Sequence, residues 1–298
     1  MAHEGKCRGV LTTKTARLPR RCRRLRALML YIMLMIAAAV ALLPFFWMLS
    51  TSLMTRGETI SLQWLPRVPQ VQNYVVAWTE GKFARYSVNS ALITVTTLAG
   101  LLCTSILAGY AFARIRFVAR EVVFMVLLST MMLPEAVTLL PNFLLIRGDV
   151  IPLPGGGWLN TLQGLTVPSM ANAFSIFLLR QFFRQIPTEL WDAARLDGCG
   201  HLRFLLAVGV PLSKAPVVTV ALFGFLHAWD AFMWPLRVTT RDTWRPLMVG
   251  LWSFVDEAGP DTQLLMAGAV LTLLPVLVLY FILQRHFTAS LVSSGLKG

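Results

Sequence analysis

The stretch IPTELWDAARLDGCGHLRFLLAVGVP, Ile186–Pro211, decides how this chain is folded. It is a polar, partly amphipathic segment held between two long apolar runs, Leu162–Phe183 and Pro216–Leu236. Buried ions are costly in hydrocarbon, so an insert carrying Glu189, Asp192, Arg195 and Asp197 must leave the bilayer as a folded unit. Glu189–Leu196 reads as a short helix, with Thr188 as its N-cap and acids in the first turn, where the helix dipole favours them. The pair Ala193 and Ala194 lets another surface approach closely. Gly198 and Gly200 break the helix, because glycine supplies the backbone freedom of a sharp turn. Val208–Pro211 returns the chain to the bilayer, with Pro211 near the start of the next span, where a missing N–H does no harm.

The composition around this stretch excludes a single soluble core. Of 298 residues, 56% are hydrophobic and only 14% charged, and the mean hydropathy is +0.65, which describes a polytopic membrane protein. The net charge of +13 owes much to the N-terminus, where nine of the 27 basic residues lie between Lys6 and Arg26. A basic tail against an apolar helix reads as a topology signal and a contact for anionic lipid headgroups, not as a nucleic-acid reader. By the topology below, Cys7 and Cys22 sit in the tail, Cys103 in a membrane helix and Cys199 in the cytoplasmic loop, so no disulfide framework is expected, and no metal or cofactor pattern is present.

Six spans follow, all helical, with a basic cytoplasmic tail over 1–26 and a transmembrane domain over 27–298. The first span, Ala27–Leu53, is uncharged and too long for a removed signal peptide. An external loop, Thr55–Ser87, leads to the second span at about Asn89–Ala113, which is rich in small residues that let membrane helices pack closely. The third, about Val122–Ile146, contains Pro134, Glu135 and Pro141, so a kinked helix is expected. The fourth and fifth, Leu162–Phe183 and Pro216–Leu236, flank the polar insert, and the sixth is about Leu264–Leu283. Arg147–Trp158 and Thr239–Asp261 are external loops in this scheme, and both termini are cytoplasmic. No GxxxxGK[ST] loop occurs, so the chain cannot hold ATP in the usual way.

The spacing Asp192-Ala193-Ala194, three residues, Gly198, nine residues, Val208-Gly209-Val210-Pro211 resembles the EAA loop of ABC importer permeases, with Asp in place of Glu. Further segments, in order, are similar to the second permease of carbohydrate importers of the maltose and glycerol-phosphate type. They are Asn73-Tyr74, Asn89-Ser90, Ala108–Arg114, Trp158–Thr161, Phe177–Phe183, Trp234-Pro235-Leu236 and Gly295–Gly298. The resemblance implies a coupling helix seated in a groove of a separate ATPase, in which Glu189, Asp192, Ala193, Ala194, Gly198 and Pro211 take part. It also implies a second permease subunit, an ATPase dimer, an extracellular solute-binding protein, and a sugar, oligosaccharide or sugar-derived polyol as solute.

Two acids stand out for the translocation path. Asp230, near the outer end of the fifth span, either hydrogen-bonds sugar hydroxyls or reaches the external interface or a neighbouring helix. Glu135 is similarly placed in the third span but departs from the small residue usual in the family there. Trp229, Phe232 and Trp234 either stack on sugar rings or anchor at the interface. Arg180 and Arg184 read most simply as inside-positive anchors. An amino-acid or peptide ABC permease, an ion-coupled secondary carrier and a membrane scaffold remain as alternatives. The carrier reading lacks an evident inverted repeat, and the scaffold leaves the loop spacing unexplained.

Overall fold

The computed structural model describes residues 20–256 and 259–295, with side chains described for 26–255 and 261–282. The tail ahead of Arg20, the side chain of Cys22 and the terminal residues Leu296–Gly298 lie outside the described residues. Helix α1 (Arg20–Ser52) is followed by the short helices α2 (Arg56–Ile60) and α3 (Gln72–Glu80) and by the 32-residue α4 (Phe83–Arg114). Next come α5 (Arg120–Ser129), α6 (Glu135–Arg147), α7 (Leu162–Thr166), α8 (Ala173–Gln185), α9 (Thr188–Leu196), α10 (His201–Phe204) and α11 (Val210–Leu212). The chain ends with α12 (Lys214–Trp229), α13 (Met233–Val238), α14 (Leu247–Leu251) and α15 (Thr262–Gly295). The only strands among the described residues are a two-residue pair, Val255–Asp256 against Gly259–Pro260.

Three helices are long and apolar enough to cross a membrane: Arg26–Ser52, Phe83–Arg114 and Thr262–Ile282. Three bent helix pairs raise the number to as many as six if each pair counts as one span. The chain divides into two compact units, Met1–Met48 and Leu49–Gly298. In the first, residues 26–46 of α1 are exposed along their whole length.

The second unit is built on α4. Asn89, Ile93, Thr97, Leu101, Ser105 and Gly109 recur every four residues and are all buried, a ridge along α4, the helix that packs most against α8 and α12. Small residues set the spacing: a methyl added at Gly109 would lie 3.1 Å from Leu179 Cβ, and one at Gly224 only 2.5 Å from Leu101 Cδ2. One core cluster gathers Ala77, Phe83, Tyr86, Trp229, Leu251 and Ala267. A second, at the other end of α4, gathers Tyr110, Leu179, Phe183, Ile186, Phe204 and Val220.

Three expectations need correction. The third span is not a kinked helix: α5 with its 3-10 extension and α6 meet at 107°. Leu133, ahead of Pro134, is held extended at φ −83, ψ 121, as a residue before proline tends to be, so the helix stops and restarts at Glu135. The helix of the expected fifth span, α12, ends at Trp229 and not at Leu236. A helix continuous through Pro235 would press the proline ring onto the carbonyl of Ala231; a break over Asp230–Phe232 places Pro235 in the first turn of α13 instead. The segment Thr55–Ser87, expected as a loop, instead contains α2, α3 and the start of α4. Asn73 Nδ2 donates to Ser52 O and Met54 O at 2.9 and 2.8 Å. Asn160, at φ +56, accepts at Oδ1 from the N–H groups of Thr240 and Arg241 at 2.8 and 2.9 Å.

Candidate coupling site

The polar insert forms a compact turn of two helices. Ile186 is buried, and Pro187, at φ −55 and ψ 141, redirects the chain out of α8. Helix α9 then starts at Thr188, one residue earlier than expected. Pro187 occupies the N-cap position with no side-chain hydrogen bond, so Thr188 is the first helical residue and not the cap. At 100° per residue, Glu189, Asp192, Ala193 and Leu196 fall on one face of α9, while Trp191 and Ala194 fall on the other. The first four are exposed, Leu196 to 90%, and Trp191 and Ala194 are half-buried. The alanine pair is therefore divided: Ala193 faces outward and Ala194 packs toward the bundle.

Gly198 ends α9 at φ +73, in the left-handed region. The amide of Gly198 donates to Arg195 O at 3.0 Å and that of Cys199 to Ala194 O at 2.9 Å, the paired bonds of a Schellman cap. Ala194 and Cys199 then lie together against the core, the apolar contact that accompanies this cap. Gly200, at φ −82, stands ahead of α10, and the chain continues through a π-helical turn, Leu205–Gly209. Pro211 is thus inside a helical stretch, two residues before Ser213, where His201–Leu212 meets α12 at 85°.

What fixes this turn to the bundle is an aromatic stack that the residue pattern alone did not reveal. The Trp191 indole lies 4.2 Å from the His201 ring at 14°, and Phe204 meets Trp191 edge-on at 5.1 Å. His201 Nδ1 shares a 3.0 Å hydrogen bond with the hydroxyl of Tyr110, near the end of α4. Tyr110 also packs edge-on to Phe183 at 6.0 Å. The available signal was the glycine turn itself, which brings residues ten positions apart face to face.

The path candidates are scattered. Trp229 is 6% exposed, stacks on Phe225 at 5.7 Å and donates its indole N–H to Thr272 O at 3.2 Å, so it is part of the core. Trp234 donates to Gly164 O at 3.1 Å. Phe232 is half-buried against Trp252, 5.6 Å away. Asp230 is the exposed residue that closes α12, where the helix dipole opposes a negative charge. Glu135 opens α6, where the dipole favours one, and is exposed. Asp230 and Glu135 form no ion pair among the described residues. Arg180 is buried and paired to Glu121, so it is no simple interfacial anchor.

Residues 100–292, covering α9 and both of its flanking bends, match the family of binding-protein-dependent transport system inner membrane components. The chain belongs to that family. This permease is 30% identical to the diacetylchitobiose uptake system permease of Streptomyces coelicolor, over 88% of its own length and 86% of the relative's. It is 34% identical to an sn-glycerol-3-phosphate transport permease of Yersinia pestis, over 71% of its own length and 74% of the relative's. Its fold matches a bacterial ABC transporter chain involved in alginate import with a TM-score of 0.78 at 23% identity, over 91% of this chain and 99% of that one. The permease is a transport subunit of the inner membrane, of the kind found in carbohydrate-uptake ABC systems.

Proposed function

We propose that this permease forms half of the translocation path of an ATP-driven importer for a sugar, an oligosaccharide or a sugar-derived polyol such as a glycerol phosphate. The observation that carries the proposal is the outward face of α9. Glu189, Asp192, Ala193 and Leu196 stand exposed on a helix whose opposite face is pinned by the Trp191–His201–Tyr110 stack. A helix built in this way is a rigid contact element with an unsatisfied side. Its two acids and small apolar surface suit a groove lined by basic and apolar side chains on a separate ATPase.

In this reading each bent helix pair crosses the membrane as one span, giving six with α1, α4 and α15, and both termini lie in the cytoplasm. A second permease completes the cavity, and a solute-binding protein delivers from outside, where α2, α3 and α14 are folded to receive it. Nucleotide-driven closure of the ATPase dimer moves α9, the spans open the cavity outward, and hydrolysis returns it inward. Asp230 and Phe232, where α12 unwinds, are the path residues best placed to meet a polyhydroxylated solute: one accepts hydroxyl hydrogen bonds, the other offers an apolar face. Glu135, at the break between α5 and α6, is a second polar point on that path. The names of the relatives, a diacetylchitobiose system and a glycerol-phosphate system, support a carbohydrate or polyol solute over amino acids or peptides.

The test is uptake by the complete transporter in proteoliposomes, with a panel of sugars, polyol phosphates and amino acids. ATP-dependent accumulation of a carbohydrate or polyol is expected. Accumulation that runs on an ion gradient without ATP, or only of amino acids, would overturn the proposal.

A further inference from the structure

Helices α4 and α8 cap each other. The last carbonyls of a helix have no donor within it. Arg180, on α8, donates from Nε to Phe112 O of α4 at 3.2 Å. Arg114, the last residue of α4, donates from Nε to Phe183 O of α8 at 3.0 Å and from Nη2 to Ile186 O. Each arginine thus satisfies the orphan carbonyls of the other helix. Arg180 is the more committed of the two. Its side chain is only 5% exposed, its Nη2 meets both carboxylate oxygens of Glu121 at 3.0 and 2.7 Å, and its guanidinium lies 3.8 Å from the centre of the Phe124 ring. Glu121, 57% exposed and also bonded to Arg120 at 2.9 Å, brings the start of α5 into the same knot.

Adhesion alone does not account for this arrangement. Burying an arginine is costly, and well-packed apolar side chains hold two helices together at least as well as buried ions. Directional bonds do something apolar contacts do poorly: they fix axial register, so one helix cannot slide along the other. The register is fixed near Gly109, which lies against Leu179 and Arg180, and at Ile186, which directly precedes Pro187 and α9.

We propose that Arg114 and Arg180 are positioning residues of the transport cycle, a reciprocal clamp that makes α4 and α8 move as one body with the coupling helix. A push on α9 then reaches the bundle, where an unclamped chain would absorb it as a hinge at Ile186–Pro187. The proposal rests on the coupling reading of α9.

The experiment uses the complete transporter with its native cysteines replaced and spin labels at Leu107→Cys on α4 and Phe182→Cys on α8, both positions exposed and neither held by the Tyr110–His201 bond. The distance between labels is measured without nucleotide and with ADP and vanadate. In the parent complex one narrow distance is expected, unchanged between the two states. In Arg114→Ala/Arg180→Ala it should broaden or shift by more than about 3 Å when nucleotide binds, with ATP hydrolysis kept within about twofold. Arg180→Lys should give an intermediate result, because an ammonium cannot reproduce the forked contact. Distances in the double variant that match the parent in both states would overturn the clamp. Should the double variant fail to assemble, the single variant Arg114→Ala answers in its place: it removes the bonds to Phe183 O and Ile186 O, so a broadened or shifted distance supports the clamp and a parental distance contradicts it. Failure of the coupling reading itself would show earlier, as a parent complex that hydrolyses no ATP.

Discussion

At the scale of single residues, Asp230 presents the clearest conflict between local and global demands. Its carboxylate closes α12, where a cation would suit the helix dipole, and it has no ion-pair partner among the described residues. Asp230→Asn should therefore leave thermal stability unchanged or raise it by about 0.3–1 kcal/mol, while lowering uptake if the carboxylate meets solute. Thermal unfolding in detergent together with uptake measures both halves. Lost stability with intact uptake would make Asp230 a structural residue. A second residue-scale prediction concerns Lys82 and Asp242, which pair at 2.5 Å and tie the start of α4 to the loop before α14. The hydrogen bond with Lys82 holds the Asp242 carboxyl below its usual range, and the same bond holds the Lys82 ammonium above its own. A depressed carboxyl contributes above its unfolded pKa and is lost as pH falls through the folded one. A raised ammonium contributes below its unfolded pKa and is lost as pH rises through the folded one. The tie should thus be constant from about pH 5 to pH 9 and loosen only in stronger acid or base. Hydrogen exchange of residues 240–246 across that range should be flat after correction for the intrinsic rate, and a transition near pH 6–7 would refute the pairing.

At the scale of the element, the α9–α10 turn was largely legible in the sequence because its signals are local. An acidic first turn, a helix of about nine residues and a glycine at the C′ position are each written within a few positions. Thr188 was misplaced as the cap because Pro187, which cannot continue α8, also sets where α9 starts. The stack of Trp191 on His201 and the pairing of Arg180 with Glu121, 59 residues apart, were not legible. The second depends on how α4, α5 and α8 pack, which no local pattern encodes, and the first on the return of α10 against α9, for which the glycine turn was the only hint. The role of Gly198 leads to a graded prediction. At φ +73 asparagine is tolerated, alanine costs about 1 kcal/mol, and valine costs more. Gly198→Asn should keep transport near normal, while Gly198→Val should hydrolyse ATP with little uptake; full coupling in the valine variant would refute the assignment. The ridge of α4 allows a similar test. Gly109→Val places new methyls against Leu179, Arg180 and Ile176 and should destabilise by about 1–3 kcal/mol, read as a lower midpoint of unfolding in detergent.

At the scale of the molecule, hydropathy located every apolar run, yet the runs did not become six straight helices. Two of them bend near prolines, by 107° and 46°, a third is broken over Asp230–Phe232, and an 85° bend at Ser213 stands just ahead of it. Hydropathy registers how much apolar chain is present and not whether it runs straight, which is why Asp230 was placed inside a span and lies instead at its broken end. The bends concentrate on the segments flanking α9 and on α5–α6, while α4 stays continuous as the element they pack around. The second unit thus combines two continuous helices, α4 and α15, with three jointed pairs, a division of labour that suits the alternating access proposed above. The central claim is that the outward face of α9 meets a separate ATPase. The most direct measurement is site-specific photo-crosslinking in the assembled transporter, with the reactive group at Ala193 on α9 or at Trp252 near the opposite end of the chain's bundle. The account predicts crosslinks to the ATPase subunit from position 193 and none from position 252. No ATPase adduct from 193, or labelling of 193 by a membrane-impermeant reagent applied outside the cell, would contradict it.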